Sequence, residues 1–278
     1  MLYAVIIGFH EVFKKQARNK SHSSSILVIF TTVAFLLSLL WIPTGITIPL
    51  KYVLILALKG LIISFSWFII IKILKEVDIS LVTTLKLTSV IMTYIIGFTV
   101  FKESINPTQA IGIILVLTGV TLIQLVNKKE KGKTKLFYIF IILIAAVNAS
   151  LSEIIDRYTT IHLTNFQVQF WFLLFACIFS WIFFIFECIR KKEFLIKAHD
   201  LKNFWVYLIG IFLFFGDFFL FLAYTTPGSQ MVIITILSKL KILIAVFAGI
   251  IVFKEKNILK KILLTIMVVT GVLLIALF

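Results

Sequence analysis

Residues 25–42, SILVIFTTVAFLLSLLWI, run for almost the thickness of a membrane without one charged side chain. A bilayer core is spanned by about 20 mostly apolar residues in a helix. Comparable stretches recur along the whole chain. They fall at about 2–17, 25–42, 52–75, 79–101, 107–127, 136–158, 165–188, 203–225, 229–253 and 258–278, with short connectors between them. Hydrocarbon offers no water to backbone N–H and C=O groups, so stretches of this length must bond internally as helices. Barrel strands would be about half as long and would alternate in polarity. The chain is therefore read as an all-α integral membrane protein with ten transmembrane helices, the first of them short.

Composition agrees. Hydrophobic residues make up 61% of the 278 and charged ones 14%, where a soluble domain carries about a quarter charged. The net charge is +15. Lys and Arg cluster in the connectors, which is the signature of membrane orientation and not of nucleic-acid binding. Cys177 and Cys188 share one apolar run, roughly 16 Å apart on a helix, too far to bridge each other. The N-terminus has no basic region before MLYAVIIGF and no small-residue cleavage site after it, so it reads as a first span and not as a signal peptide.

Local signals place the boundaries. Asn106-Pro107 sets a capping Asn before a Pro at the first helical position. Pro227-Gly228 separates the eighth run from the ninth. NKKEKGKTK at 127–135 is the most polar stretch and divides the chain almost in half.

The two halves share a word. GFTVFKESINPTQAIGIILVLTGVTLIQLV at 97–126 aligns without a gap on GIIVFKEKNILKKILLTIMVVTGVLLIALF at 249–278, at a constant offset of 152 residues. Apolar matches are cheap between membrane helices, but Gly97/Gly249, the VFKE tetrapeptide and Thr118-Gly119-Val120 against Thr270-Gly271-Val272 are not. The pattern reads as an internal duplication: a first five-helix repeat at 1–127, a basic linker at 128–135 and a second five-helix repeat at 136–278. Tandem copies with an odd number of spans insert in opposite orientations. The expected architecture is two inverted repeats with a substrate site near the midplane between them.

This layout resembles the drug/metabolite transporter superfamily, EamA-type. VFKES…LTGVTLI and VFKEK…VTGVLLI look like that family's fourth and ninth spans with the helices that follow. LAYTTPGS at 222–229 resembles its end of span eight, and ILKEVDIS at 73–80 is the weaker counterpart, with Asp78 where Pro is common. The resemblance implies a cavity lined by spans one, three, four, six, eight and nine.

Charge bias sets an expected orientation. The connectors after spans one, five, seven and nine carry Lys14, Lys15, Arg18 and Lys20, then Lys128, Lys129, Lys131, Lys133 and Lys135, then Arg190, Lys191 and Lys192, then Lys254, Lys256 and Lys260. The other side has little beyond Lys51, Lys102 and Arg157. The positive-inside rule then puts both termini outside a plasma (inner) membrane. The resemblance implies the opposite arrangement, with both termini inside.

A charge at a helix centre costs roughly 2.5–3.5 kcal/mol on insertion scales, so each needs a reason. Lys86 in TTLKLTSV and Lys241 in SKLKIL are the central cations. The 152 offset maps Lys241 onto position 89, three residues from Lys86 and on much the same helix face. Lys239 then points elsewhere. The alternative for Lys86 is a side chain that snorkels to the interface. Asp217 interrupts FLFFGDFFLF, either as a partner for these lysines or as a proton or cation site. Glu153 stands near Asn148, Ser150 and Ser152 in span six, and Glu11 beside His10 holds a roughly corresponding place in span one. Both acids could instead sit near a helix end in water. Lys59 reads as interfacial. Trp67, Tyr94 and Trp171 are candidate cavity walls, with lipid-facing positions as the alternative.

The candidate substrate-binding set is thus Lys86, Lys241, Asp217, Glu153, Asn148, Glu11, Tyr94 and Trp67. No nucleophile cluster, metal set or cofactor motif accompanies it. KGKT at 131–134 lacks the upstream Gly of a phosphate loop, and HEVFK at 10–14 has Lys where a zinc-protease helix needs its second His. The expected function is secondary transport of a small polar metabolite, anionic or zwitterionic, by alternating access. The lipid bilayer is the surroundings, and a proton or other ion is the coupling candidate. A homodimer is compatible with the sequence, and no cofactor is called for. The alternative is a non-transporting membrane sensor or subunit, in which Lys86, Lys241 and Asp217 would be locked in ion pairs.

Overall fold

A computed structural model describes residues 2–277 except 78, 80–81, 83–84, 87–88, 90–98, 100–105, 131–135, 239 and 253–257. Among the described residues, helical structure falls in each of the ten apolar runs. The continuous helices are α1 (Leu2–Arg18), α2 (Ser23–Ser38), α3 (Leu50–Ile73), α5 (Pro107–Glu130), α6 (Leu136–Thr160), α7 (Asn165–Lys191), α8 (Phe204–Thr225) and α10 (Ile258–Leu277). Between α3 and α5, α4 is helical at Ile79, Val82, Leu85, Ser89 and Thr99. Between α8 and α10, α9 comes in two pieces, Met231–Ser238 and Lys241–Ile251. The sequence predicts that ninth element as one run. Beside the break the Ser238 hydroxyl bonds back to the Thr235 carbonyl, 2.5 Å away. Such back-bonding offers a helix a local alternative to its ladder.

Boundary chemistry is local. Asn106 Oδ1 accepts the Thr108 amide at 2.9 Å, just where the Asn-Pro pair predicts a helix start. Thr164 and Gln167 form a reciprocal capping box at the head of α7. The spare Gln167 amide donates to the Gly45 and Thr47 carbonyls, tying that helix to the loop after α2.

Polarity is reversed relative to a soluble protein. Leu54, Phe140, Ile185 and Leu259 face outward, while Ser64, Ser150, Gln169 and Ser180 are buried. Among the described residues, five helices are long and apolar enough to cross a membrane: Ser23–Thr44, Leu50–Ile73, Phe137–Thr160, Asn165–Lys191 and Phe204–Thr225. The main apolar core lies where α2, α3, α7 and α8 meet, around Phe30, Leu56, Leu173 and Phe221.

Helix pairing follows a rule of exchange. If α1–α5 are swapped with α6–α10 in order, α1·α8 becomes α6·α3 and α2·α8 becomes α7·α3, while α5·α10 and α2·α7 map onto themselves; all six pairs pack in the structure. The contacts repeat in detail. A Cβ on Gly119 would lie 2.6 Å from Val268 Cγ2 and 3.4 Å from Leu264 O, and one on Gly271 would lie 2.6 Å from Gly112 O and 3.0 Å from Val116 Cγ2. These are the same contacts under the 152 offset. They run in opposite senses along the two chains, so α5 and α10 cross antiparallel. Close approaches at a glycine also occur in the exchanged pairs α3·α7 and α8·α2, at Gly60 against Phe175 and at Gly210 against Phe30, though not at the 152 offset.

One end of the bundle gathers the basic connectors. Lys15 Nζ donates to Val77 O at 3.2 Å, Arg18 Nε donates to Ile71 O at 3.1 Å, and Asn203 Nδ2 donates to Ala17 O at 3.3 Å. Lys72 and Arg190 both approach the buried Glu187, at 2.9 and 3.6 Å. The opposite end is closed by the Gln167 bridge, by Trp171 Nε1 donating to Ile46 O and by Arg157 donating to Ser229 Oγ.

Candidate functional site: a charged cavity between the two halves

Burying a charge is tolerable only with a partner or a wet cavity. The interior of this bundle supplies both. A cavity of about 140 Å³ opens between the halves, with walls from α1, α3, α4, α6, α8 and α9 and with Phe172 of α7. A single water site needs roughly 10–15 Å³ on this measure, so the space suits a small metabolite or on the order of ten waters.

Six of the eight expected residues line it: Glu11, Trp67, Lys86, Glu153, Asp217 and Lys241. Asn148 does not, and its amide donates to Ser66 Oγ at 2.8 Å across the α6–α3 contact. Tyr94 lies outside the described residues, as do Asp78, Lys239 and most of the VFKE words. Trp171 points to the end of the bundle, toward Ile46.

Charges are arranged in two clusters. In the first, Glu11 Oε1 is 3.5 Å from Lys14 Nζ, 4.0 Å from Lys86 Nζ and 4.0 Å from His10 Nδ1. Lys14 is fully buried, and its ammonium lies 5.7 Å from the Phe30 ring centre and 5.2 Å from that of Trp67. This corrects the reading of Lys14 as a connector charge. The helix of α1 runs on to Arg18, so Lys14 sits a full turn inside it, on the face of Glu11 at i,i+3. That spacing was the available signal.

In the second cluster Lys59 pairs with Asp156. Its ammonium is clamped between the Phe172 and Phe221 rings, 3.8 and 4.6 Å from their centres. Lys59 is 2% exposed, so the interfacial reading is also corrected. Its counter-charge comes from the other half of the chain, 97 residues away. Asp156 escaped the sequence reading, although it follows Glu153 by three residues on the same face of α6. Asp217 lies at this end of the cavity's chemistry too. Its Oδ2 is buried and has no hydrogen-bond partner. The cavity thus carries Glu11, Glu153, Asp156 and Asp217 against Lys59, Lys86 and Lys241, with Lys14 behind.

The pairs are not equally committed. Lys59 is bound to Asp156 and held by two rings. Glu11 is already served by Lys14 at the shorter distance, so Lys86 at 4.0 Å shares a partner and keeps 22% of its side chain exposed. Among the described residues, Lys86 Nζ and Asp217 Oδ2 thus retain capacity for a ligand.

Residues 1–125 match the EamA-like transporter family. No curated protein matches the chain in sequence. A solved structure described only as "Crystal structure of protein" is similar in fold, with a TM-score of 0.69 over 98% of this chain and 95% of its own length, at 12% identity. At that identity the likeness concerns the fold alone. The family match covers the first 125 of the 278 residues; together with the apolar helices around a charged interior it supports a multi-pass membrane protein similar to the EamA-like transporters of the drug/metabolite transporter superfamily.

Proposed function

We propose that the protein is a secondary transporter of a small polar metabolite, anionic or zwitterionic, held in the central cavity and released by alternating access. The observation that carries this reading is the cavity itself, a charged chamber enclosed between two halves of an apolar bundle. The exchange rule among helix pairs and the antiparallel crossing of α5 and α10 support two inverted repeats, 1–127 and 136–278 joined by the linker 128–135, rocking about a midplane site. Parallel repeats would cross those two helices in the same sense.

Lys86 is the proposed anchor for an anionic group and Asp217 for an ammonium or a proton. Glu11, Glu153, Lys241 and Trp67 complete the set, and Tyr94 and Asn148 remain candidates in a second conformation. The spare oxygen of Asp217 favours a zwitterion over a simple anion. The concentration of lysines at one end favours a plasma-membrane orientation with that end in the cytoplasm and both termini outside. Proton coupling through Asp217 fits its buried, unpartnered oxygen.

The test is uptake by proteoliposomes of a panel of labelled organic acids, zwitterions and amines, with and without a pH gradient. Zwitterions or anions should accumulate. Lys86→Met and Asp217→Asn should each lower uptake at least tenfold, the loss of one charged hydrogen bond being worth about 1.5–3 kcal/mol. A sealed protein that moves none of the panel, yet is folded, would favour the sensor or subunit reading.

A further inference from the structure

The charged cavity has an apolar neighbour. Beside it, between α1, α8 and the first piece of α9, lies a recess of about 370 Å³ whose walls carry no charged side chain. Tyr3, Leu220 and Ser238 border both spaces. Beyond them the recess is walled by Phe219, Ala223 and Leu237.

Helix α8 organises the pair. Asp217, Leu220 and Tyr224 face the charged cavity, while Phe219, Leu220 and Ala223 face the recess. Ala223 lies about 9 Å along the helix from Asp217. The two spaces adjoin across Tyr3, Leu220 and Ser238, the polar one on one side and the apolar one on the other. The recess wall is mostly apolar, its hydroxyls confined to Tyr3 and Ser238 at the border it shares with the charged cavity and the Ser238 hydroxyl already donating to Thr235 O, so it takes hydrocarbon in preference to water.

We infer that the cargo is a small zwitterion bearing an apolar arm, its charged groups between Lys86 and Asp217 and its arm in the recess behind Leu220. This rests on the transport reading above and narrows it. A ligand without the arm would leave the recess unused, and each methylene buried there tightens binding by about fourfold.

The experiment uses the full chain in proteoliposomes and a series of straight-chain α-amino acids from alanine to 2-aminooctanoate, scored by half-saturation for uptake. The recess is then filled with Ala223→Phe, a residue outside the charged set. In the wild type, half-saturation should fall stepwise with chain length, by up to about fourfold per carbon. In Ala223→Phe the short members should be taken up as before and the gain with length should vanish. A flat series in the wild type, with alanine transported, overturns the apolar arm and leaves the transport reading standing. The same slope in both proteins puts the arm elsewhere and also overturns it. No uptake of any member by a folded wild-type protein overturns the zwitterion and this inference with it.

Discussion

Lys59 and Asp156 bring the cost of a buried charge into focus. Both side chains are nearly inaccessible, and the ammonium is sandwiched by aromatic rings that stabilise a cation but cannot neutralise it. Asp156→Asn keeps the shape and removes the counter-charge. It should lower stability by about 3–5 kcal/mol, seen as a lower thermal midpoint in detergent. Lys59→Met/Asp156→Asn removes both charges and keeps both side-chain volumes close to the original, so it should regain most of that loss. A double variant that melts as low as the single one would show that the ion pair is not the source of the stability. The same pair shows what one chain of letters conceals. Some buried charges were legible, Asp217 and Lys241 among them, because each interrupts an apolar run; Lys59, Lys14 and Asp156 were not, since they lie nearer the ends of their runs, where a charge reads as interfacial or as part of a connector. Distant partners were not legible either, since Lys59 finds its acid 97 residues on and from the opposite half. Where partners are three residues apart, as Glu11 and Lys14 are, the helix period carries the answer.

Elements meet through small residues, and the two glycines of the α5–α10 crossing differ in what they tolerate. Gly119 faces a valine methyl, the movable end of a side chain, whereas Gly271 faces the Gly112 carbonyl on a backbone. Gly271→Ala should therefore cost about 1–3 kcal/mol and Gly119→Ala less, although the two positions are equivalent in the repeat. Thermal midpoints of the purified variants check the order, and an equal drop would contradict it. The 152 offset aligned the two glycines in sequence, but the contact between their helices, and the asymmetry within it, depend on packing that periodicity does not rank. The interruption of α9 was hidden for a similar reason, because an apolar run reads the same whether or not its helix is continuous. At the basic end the N-terminus of α2 meets the C-terminus of α7 through His22. Lys191 Nζ stands 2.8 Å from His22 Nε2. An ammonium only donates, so Nε2 carries the lone pair and the ring proton is on Nδ1. It donates there to Ser24 Oγ at 3.2 Å, and Ser24 donates on to Glu187. In that tautomer the 3.4 Å approach of the Ser24 amide to Nδ1 is no cap. Burial first and Lys191 second lower the His22 pKa, Arg18 and Lys72 add to this, and Glu187 opposes it. A base with a depressed folded pKa binds its proton more readily when unfolded. Its contribution is therefore complete above the ordinary value of about 6.5 and lost as pH falls below that toward the folded value. The thermal midpoint should drop on acidification across that range, and His22→Gln should flatten that part of the profile; parallel profiles would remove His22 from the account.

At the scale of the whole molecule, inversion and orientation are separate questions that one measurement can divide. Lys51 opens α3 and Lys202 stands just ahead of α8, so they occupy equivalent places in the two halves, and both side chains are exposed. Lys51 lies beside Tyr158 at the end closed by Gln167 and Trp171. Lys202 adjoins Asn203, which is bonded to Ala17 at the end where the lysines gather. Inverted repeats put equivalent positions on opposite faces of the membrane, and parallel repeats put them on the same face. With Cys177 and Cys188 replaced by Ala, a single Lys51→Cys or Lys202→Cys supplies one reactive thiol. In intact cells an impermeant maleimide should label Lys51→Cys at once and Lys202→Cys only after permeabilisation. The reverse pattern would keep the inversion and overturn the charge-based orientation, placing the termini inside. Equal labelling from outside would overturn the inversion, and with it the alternating exposure of a midplane cavity. The positive-inside rule weighs only the connectors, and here it gains weight because the residues it counts at one end are joined by Lys72, drawn there by Glu187. One residue leaves the count, Lys14, whose charge belongs to the cavity and faces neither side.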